Sequence, residues 1–323
     1  MKINTRKVLI CLFVLFLGVI PLFILNGDQG SDHEDEVNNI RQRQPDKNYS
    51  PDYLIDRNKG VGLPDISAES IYSVYFEDGQ EQILFSRNRN KKLPIASITK
   101  LMTALVVYEN YDLSESIGIP DSSFFTNSHL ADLRVFTDTT FEELLYPLLL
   151  ESNNSGAYAA ATAPDDVDFD DFIEMMNLTA SDLGMKRTTY HNPSGLDTVR
   201  DINLSTARDV SILVEHLLEI PLFWDIMEKR YYDISSHKSD LHYRVTTTNR
   251  FLDGTYFNSQ PDWYGNIIGG KTGFTYQAMG CLVMVLKQGD GYIVNVILGA
   301  DGRMERFEEM EKLINWTYKA YEI

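Results

Sequence analysis

Ser97 and Lys100 stand three positions apart in P-I-A-S-I-T-K-L-M-T-A-L-V-V-Y, Pro94 to Tyr108. Positions i and i+3 of a helix share a face, about 5–6 Å apart, so the lysine amine can reach the serine hydroxyl. A serine hydroxyl becomes a useful nucleophile only when a neighbouring base takes its proton. Lys100 can be that base if it is uncharged, and a free lysine titrates at about 10.4. Burial and a like charge both depress a lysine. Leu93, Ile95, Leu101, Met102, Leu105 and Val106 offer the burial. The spacing alone proves little, because Ser235 and Lys238 in I-S-S-H-K repeat it with no apolar run behind them.

Two further motifs give the first one weight. Ser152-Asn153-Asn154 provides S-x-N after the apolar run F-E-E-L-L-Y-P-L-L-L, and Lys271-Thr272-Gly273 provides K-T-G after Gly269-Gly270. Each is common by itself. Together, in this order, they bring a second hydroxyl, an amide and a second cation to one serine and one lysine.

The elements that must position them can be read from pattern. Ser70–Phe76 and Gln82–Ser86 are β-rich and alternate, with Asp78-Gly79 as the turn of a hairpin. Pro94–Tyr108 reads as a buried helix. Thr140 and Glu143 form a capping box for a helix that Pro147 must kink or restart. Asp171–Leu183 is amphipathic and stops at Gly184, and a helix through Ser205–Leu218 is capped by Thr206 and Asp209. Tyr243–Asn249, Ile267–Thr272, Cys281–Leu286 and Tyr292–Gly299 read as strands, which puts K-T-G at a strand end, and Met304–Tyr321 reads as the last helix. Strands at both ends with helices between them predict an α+β fold, one mixed sheet closed by N- and C-terminal segments with a helical lobe inserted.

The 323-residue chain is 43% hydrophobic and 24% charged, ordinary globular values, with a net charge of −18 that argues against nucleic acid as a partner. Its two cysteines, Cys11 and Cys281, exclude a disulfide framework and a cysteine metal site. Lys2, Arg6 and Lys7 precede an uncharged run from Val8 to Leu25. That run is long enough to span a bilayer, and the basic residues keep its start in the cytoplasm. Residues 1–25 are therefore expected to anchor the chain in the cell membrane, with a cleaved, secreted form as the alternative. Residues 26–63, polar and with the acidic run D-H-E-D-E, are expected to be a tether, and 64–323 a catalytic domain outside the cytoplasm.

With the three motifs in place, the chain resembles the penicillin-binding D-alanyl-D-alanine carboxypeptidases, serine enzymes of the β-lactamase/transpeptidase-like fold. The likeness extends through M-N-L-T-A-S-D-L-G-M (Met176–Met185), H-N-P-S-G-L (His191–Leu196), L-S-T-A-R-D (Leu204–Asp209), I-G-G-K-T-G-F-T (Ile268–Thr275) and G-C-L-V (Gly280–Val283). It implies an antiparallel sheet flanked by helices, a peptidoglycan stem peptide ending in D-Ala-D-Ala as substrate, β-lactams as acylating inhibitors and no cofactor. Ser97 then attacks the carbonyl between two D-alanines and Lys100 takes its proton. Ser152 relays that proton to the leaving amine, Asn154 orients Lys100 and the peptide amide, and Lys271 holds the substrate's carboxylate end and depresses Lys100. The resemblance assigns the oxyanion donors to the backbone N–H groups of Ser97 and of Phe274, next to Gly273. Arg306 matches the family's R-F and is the candidate for the terminal carboxylate, with Thr272 and Thr275 as added hydroxyl donors.

Three positions depart from the family's pattern. S-N-N-S stands where S-G-N-D is usual, Ala278-Met279 where Ala-Gly is common, and Pro147 in a helix that usually lacks proline. Endopeptidase action on cross-links, a non-catalytic penicillin-binding scaffold, and a β-lactamase using Glu174 are the alternatives. The histidines at 33, 129, 191, 216, 237 and 242 read as surface or packing residues, and Asp165, Asp166, Asp168, Asp170 and Asp171 lack the glycine and glutamate of a calcium loop.

Overall fold

The computed structural model describes residues 58, 60–118, 139–164, 167–198, 201–235 and 242–322. The expected anchor, most of the expected tether, Asp165, Asp166 and Lys238 lie outside them. In chain order the strands are β1 (Ser70–Glu77), β2 (Gln80–Arg87), β3 (Leu93–Pro94), β4 (Ser116–Ile117), β5 (Thr139–Thr140), β6 (Leu204–Ser205), β7 (Tyr231–Ser235), β8 (His242–Thr246), β9 (Ile267–Thr275), β10 (Met279–Gln288) and β11 (Gly291–Ala300). The α-helices are α1 (Lys100–Asn110), α2 (Phe141–Tyr146), α3 (Asn154–Thr162), α4 (Phe169–Asp182), α5 (Ala207–Leu218), α6 (Pro221–Met227) and α7 (Glu305–Tyr321).

Five strands form the main sheet in the order β2-β1-β11-β10-β9, every neighbour antiparallel. The first two and the last three strands of that sheet flank the helical segment in sequence, as the pattern of strands at both ends requires. The β1–β2 turn has Asp78 at φ 50° and Gly79 at φ 72°, the pair of left-handed residues that lets a two-residue turn follow strand twist. Both sheet faces are covered, so β10 reads as a continuous apolar run. Its Cys281, Val283 and Val285 face the cluster containing α1 and α5, while Leu282, Met284 and Leu286 face the cluster containing α7.

α1 is apolar nearly all round, and every residue from Lys100 to Val107 is buried. A helix of that kind has to run through the interior. The Thr140–Glu143 capping box is present. Pro147 changes the helix type as its missing N–H requires, so that α2 gives way to a π-helical segment, Pro147–Glu151. Gly184 ends α4 at φ 82°, and Thr206 caps α5 through the Asp209 N–H.

Three expectations about element bounds are corrected. Ser97 is not in the α-helix; it lies in a 3-10 turn, Ala96–Thr99, that leads into α1. The K-T-G is not at a strand end, because β9 runs on to Thr275 through its pairing with Met279 and Gly280 of β10. The strand expected over Tyr243–Asn249 spans His242–Thr246 and pairs with β7, after which Thr248 turns to hydrogen-bond the carbonyl of Leu150.

The segment leading into β1 is held by the last helix. Glu309 of α7 accepts hydrogen bonds from the N–H groups of Ser67 and Ala68 and from the Ser67 hydroxyl at 2.6–2.7 Å, and Trp316 donates to the Gly62 carbonyl at 2.6 Å.

Candidate active site

β9 is a free edge of the sheet, and it passes the Ser97 turn closely enough to exclude a side chain. A Cβ on Gly273 would lie 3.0 Å from the Ile95 carbonyl oxygen and 3.1 Å from Ser97 N. Residue 273 is therefore glycine for contact, and the backbone of Ser97 and the K-T-G strand form one wall.

Ala96, just before the nucleophile, has φ 47°, and Ser152 has φ 63°. Left-handed backbone costs a non-glycine residue about 1–2 kcal/mol, and such residues cluster where neighbours impose a functional geometry. The neighbour at Ala96 is Gly195, whose added Cβ would come within 1.9 Å of the Ala96 carbonyl oxygen. At Ser152 the π-helical segment ends and α3 begins, with Asn153 as its N-cap.

Lys100 Nζ lies 2.6 Å from the Ser194 carbonyl oxygen, 2.7 Å from Asn154 Oδ1 and 3.0 Å from Ser97 Oγ. The first two partners can only accept. They take the two N–H bonds of a neutral amine and leave its lone pair facing the Ser97 hydroxyl. Burial pushes Lys100 well below the usual lysine range, and the charge of Lys271 adds to the depression. Lys271 Nζ donates to Ser152 Oγ at 2.8 Å and to the Thr272 carbonyl at 3.2 Å. Burial, then the Arg306 guanidinium, lowers Lys271 to about 7.

The structure thus brings Ser97, Lys100, Ser152, Asn154, Lys271 and Gly273 to one cleft, with Thr272 and Phe274 on the same strand. Three side chains assigned to substrate are occupied by the protein itself. Thr272 Oγ1 lies 2.7 Å from Thr248 Oγ1. Thr275 Oγ1 donates to Asp197 and accepts from the Ala278 N–H at 2.9 Å. Arg306 is buried, donates to the Gly273 carbonyl at 2.6 Å, and has been lowered to about 10 by burial and Arg303. It is tied to β9 through Nη1, and its buried Nε has no hydrogen-bond partner.

Spacing in the sequence does not find the loop that presents the Ser194 carbonyl. Asn192 Oδ1 accepts from Ser194 N, Ser194 Oγ and Gly195 N, and Asn203 bridges the Asn192 carbonyl to Thr99 Oγ1. The turn-forming run His191–Leu196 was its only local signal. Nor does spacing single out Glu151, next to Ser152. Its carboxyl accepts from the Tyr243 hydroxyl, and burial raises it above the usual carboxylate range.

Two departures from the family's pattern have local answers. Asn153 is fully buried and its Oδ1 accepts from the Gly156 N–H at 2.9 Å, so the extra side chain caps α3. Met279 adopts φ 57°, a conformation that suits the glycine common there.

The described residues contain no cluster of His, Cys, Asp and Glu fit for a metal, and no helix among them is long and apolar enough to cross a membrane. The single free cysteine among them, Cys281, is buried.

The comparisons agree with this geometry. The crystal structure of penicillin-binding protein D2 from Listeria monocytogenes with bound ampicillin superposes with a TM-score of 0.66 at 26% identity, over 80% of this chain and 100% of that one. DacF, a D-alanyl-D-alanine carboxypeptidase of Bacillus subtilis, is 26% identical over 268 residues, 81% of this chain. A D-alanyl-D-alanine endopeptidase of Pseudomonas aeruginosa is 32% identical over 241 residues, 73% of each chain. The chain spans just under two thirds of DacF, 66% of its length. The pattern described as Peptidase S11, D-alanyl-D-alanine carboxypeptidase, matches residues 57–302, which include the nucleophile turn, the helical lobe and the K-T-G strand. The motifs, the antiparallel sheet that carries them and that match over most of the sequence lead to one assignment: the chain belongs to the Peptidase S11 family of D-alanyl-D-alanine carboxypeptidases.

Proposed function

We propose that the protein is a serine D-Ala-D-Ala carboxypeptidase that removes the terminal D-alanine from peptidoglycan stem peptides. The observation that carries this is the coordination of Lys100, whose Nζ lies within hydrogen-bond distance of Asn154 Oδ1, the Ser194 carbonyl and Ser97 Oγ; a neutral amine that donates to the first two turns its lone pair to Ser97.

Ser97 Oγ attacks the carbonyl carbon while its proton passes to Lys100 Nζ. The developing oxyanion is received by the N–H groups of Ser97 and Phe274, where loss of one donor typically slows a reaction about 10²–10³-fold. Ser152, hydrogen-bonded to Lys271, gives its hydroxyl proton to the leaving nitrogen and takes in return the proton that Lys100 accepted from Ser97, so D-alanine departs as the amine and Lys100 is neutral again. Lys271 holds the departing carboxylate. Water then attacks the Ser97 ester, Lys100 takes its proton, and the acid and the free hydroxyl are regenerated. A β-lactam enters the same first step.

The N-terminal run Val8–Leu25, with three basic residues before it, supports membrane attachment with the catalytic domain outside the cytoplasm. A second reading, endopeptidase action on cross-links, is favoured by the relatives named endopeptidases in Pseudomonas aeruginosa and Escherichia coli, of which the chain covers 73% each.

Purified protein incubated with muropeptides ending in D-Ala-D-Ala separates the readings. Free D-alanine from monomers supports the carboxypeptidase and conversion of dimers to monomers supports the endopeptidase. Labelling by fluorescent penicillin with neither product leaves a scaffold.

A further inference from the structure

Beyond the K-T-G, β9 ends in side chains that the chemistry above does not use. Tyr276 is 81% exposed. Its ring is 6.0 Å from that of Phe274, at 70°. The guanidinium carbon of Arg303, itself exposed, lies 4.6 Å from the Phe274 ring centroid. Among the described residues no carboxylate pairs with Arg303. In a chain of net charge −18, this is a cation held on an aromatic face at the mouth of the cleft with its anion-binding capacity unspent.

The order of groups along β9 says what reaches it. Lys271 and Thr272 stand beside Ser152, and Gly273 passes Ser97 N. A scissile carbonyl held between the Ser97 and Phe274 N–H groups, with its leaving group toward Lys271, sends its acyl side past Thr275 toward Tyr276. A peptide lying along a free sheet edge is read by pockets for alternate side chains.

We propose that Arg303, Phe274 and Tyr276 form a subsite for the residue preceding the scissile D-alanine, and that it takes a side chain ending in a carboxylate on a short aliphatic arm. The guanidinium matches a carboxylate in two parallel hydrogen bonds, and the two rings offer apolar surface to the methylenes. An ammonium at the same place meets a like charge. The placement of the acyl side rests on the carboxypeptidase reading.

The test uses the intact protein and three peptides, acetyl-X-D-Ala-D-Ala, with X as 2-aminoadipate, norleucine or lysine. The expected order of kcat/KM is aminoadipate over norleucine over lysine, each step roughly three- to fivefold, the ratio an exposed ion pair gives. Arg303→Gln brings the three rates together, and Arg303→Lys keeps part of the order. Equal rates in the unmodified protein, or an order that survives Arg303→Gln, overturns the subsite. Acylation of Ser97 by a penicillin with a side-chain carboxylate, compared with one bearing a neutral side chain, reads the same subsite without peptide turnover. A carboxylate preference in acylation that Arg303→Gln abolishes, with no peptide hydrolysed, supports the subsite and overturns the carboxypeptidase reading. Hydrolysis of all three peptides at one rate does the reverse.

Discussion

Lys271 Nζ lies 2.8 Å from Ser152 Oγ, so the edge strand of the sheet and the turn that closes the helical lobe are joined across the cleft by one hydrogen bond. The two lysines of the cleft divide the work by their surroundings. Lys100 is depressed by burial and by Lys271, and Lys271 by burial and by Arg306. The second cation thus helps to keep the first one neutral.

A pH profile should register both lysines. Catalysis needs Lys100 without its proton and Lys271 with one, so kcat/KM falls on the acid side as Lys100 becomes protonated. It falls on the alkaline side above about pH 7 as Lys271 is discharged. A bound carboxylate favours charged Lys271, so the alkaline limb of kcat lies higher than that of kcat/KM. Stopped assays of D-alanine release from pH 5 to 10 check this, and coincident alkaline limbs count against a Lys271–carboxylate contact.

Lys271 also costs stability. Its folded pKa of about 7 lies below its ordinary 10.5, so between these values the unfolded chain binds more protons and stability rises with pH. Lys271→Met removes that rise. Allowing for the Ser152 hydroxyl left unpaired, the variant melts roughly 5 °C above the parent at pH 7, and the advantage is lost as the pH rises towards 10. Thermal unfolding at several pH values measures the difference, while turnover is lost.

Ser97→Ala should abolish penicillin labelling and reduce D-alanine release by at least about 10⁴-fold with little change in melting. Peptide mapping of the labelled parent should recover Ser97. Ser235, exposed at the end of β7 and hydrogen-bonded to His242 at 2.9 Å, should carry no label.

Asn153 offers a graded test of the S-N-N-S departure. Asn153→Ala loses the cap on α3 and costs about 1 kcal/mol, whereas Asn153→Gly costs only about a few tenths. Urea unfolding distinguishes them. Equal losses mean that water does not take the place of the lost cap at this buried position.

Met279→Gly relieves a left-handed residue at the start of β10 and should raise stability by about 1 kcal/mol, less the packing of its half-buried side chain. A drop in melting temperature would mean that packing outweighs backbone strain there.

The parts of the fold that the sequence reveals are those decided by neighbours in the chain. The Asp78-Gly79 hairpin, the Thr140–Glu143 box, the Thr206 cap and the helix change at Pro147 each depend on residues within about one turn, and each stands where the pattern puts it. What the pattern misses is fixed across space. β9 continues past the K-T-G because Met279 and Gly280 pair with it, and no propensity within T-G-F-T reports that. Strand β7 goes unread because its alternation is short and polar until β8 lies beside it. In the site, the motif residues are legible and the groups that aim them are not. The Ser194 carbonyl belongs to the backbone, and a backbone acceptor leaves no mark on residue identity beyond the Asn, Pro and Gly of its turn. Arg306 reads as the receiver of a terminal carboxylate, yet it is buried against Gly273, with its freedom to meet a substrate largely used.

The clasp of Glu309 on Ser67 and Ala68 decides where a tug arriving through the leading segment is felt. A load applied at Asn58 meets the final helix first at the Ala320 carbonyl, then at Trp316 and at Glu309, on the sheet face away from Lys100. The nucleophile's wall on β9 is three strands removed from β1. A pull on this end of the described chain therefore loads the final helix while the distances that make the serine reactive stay fixed.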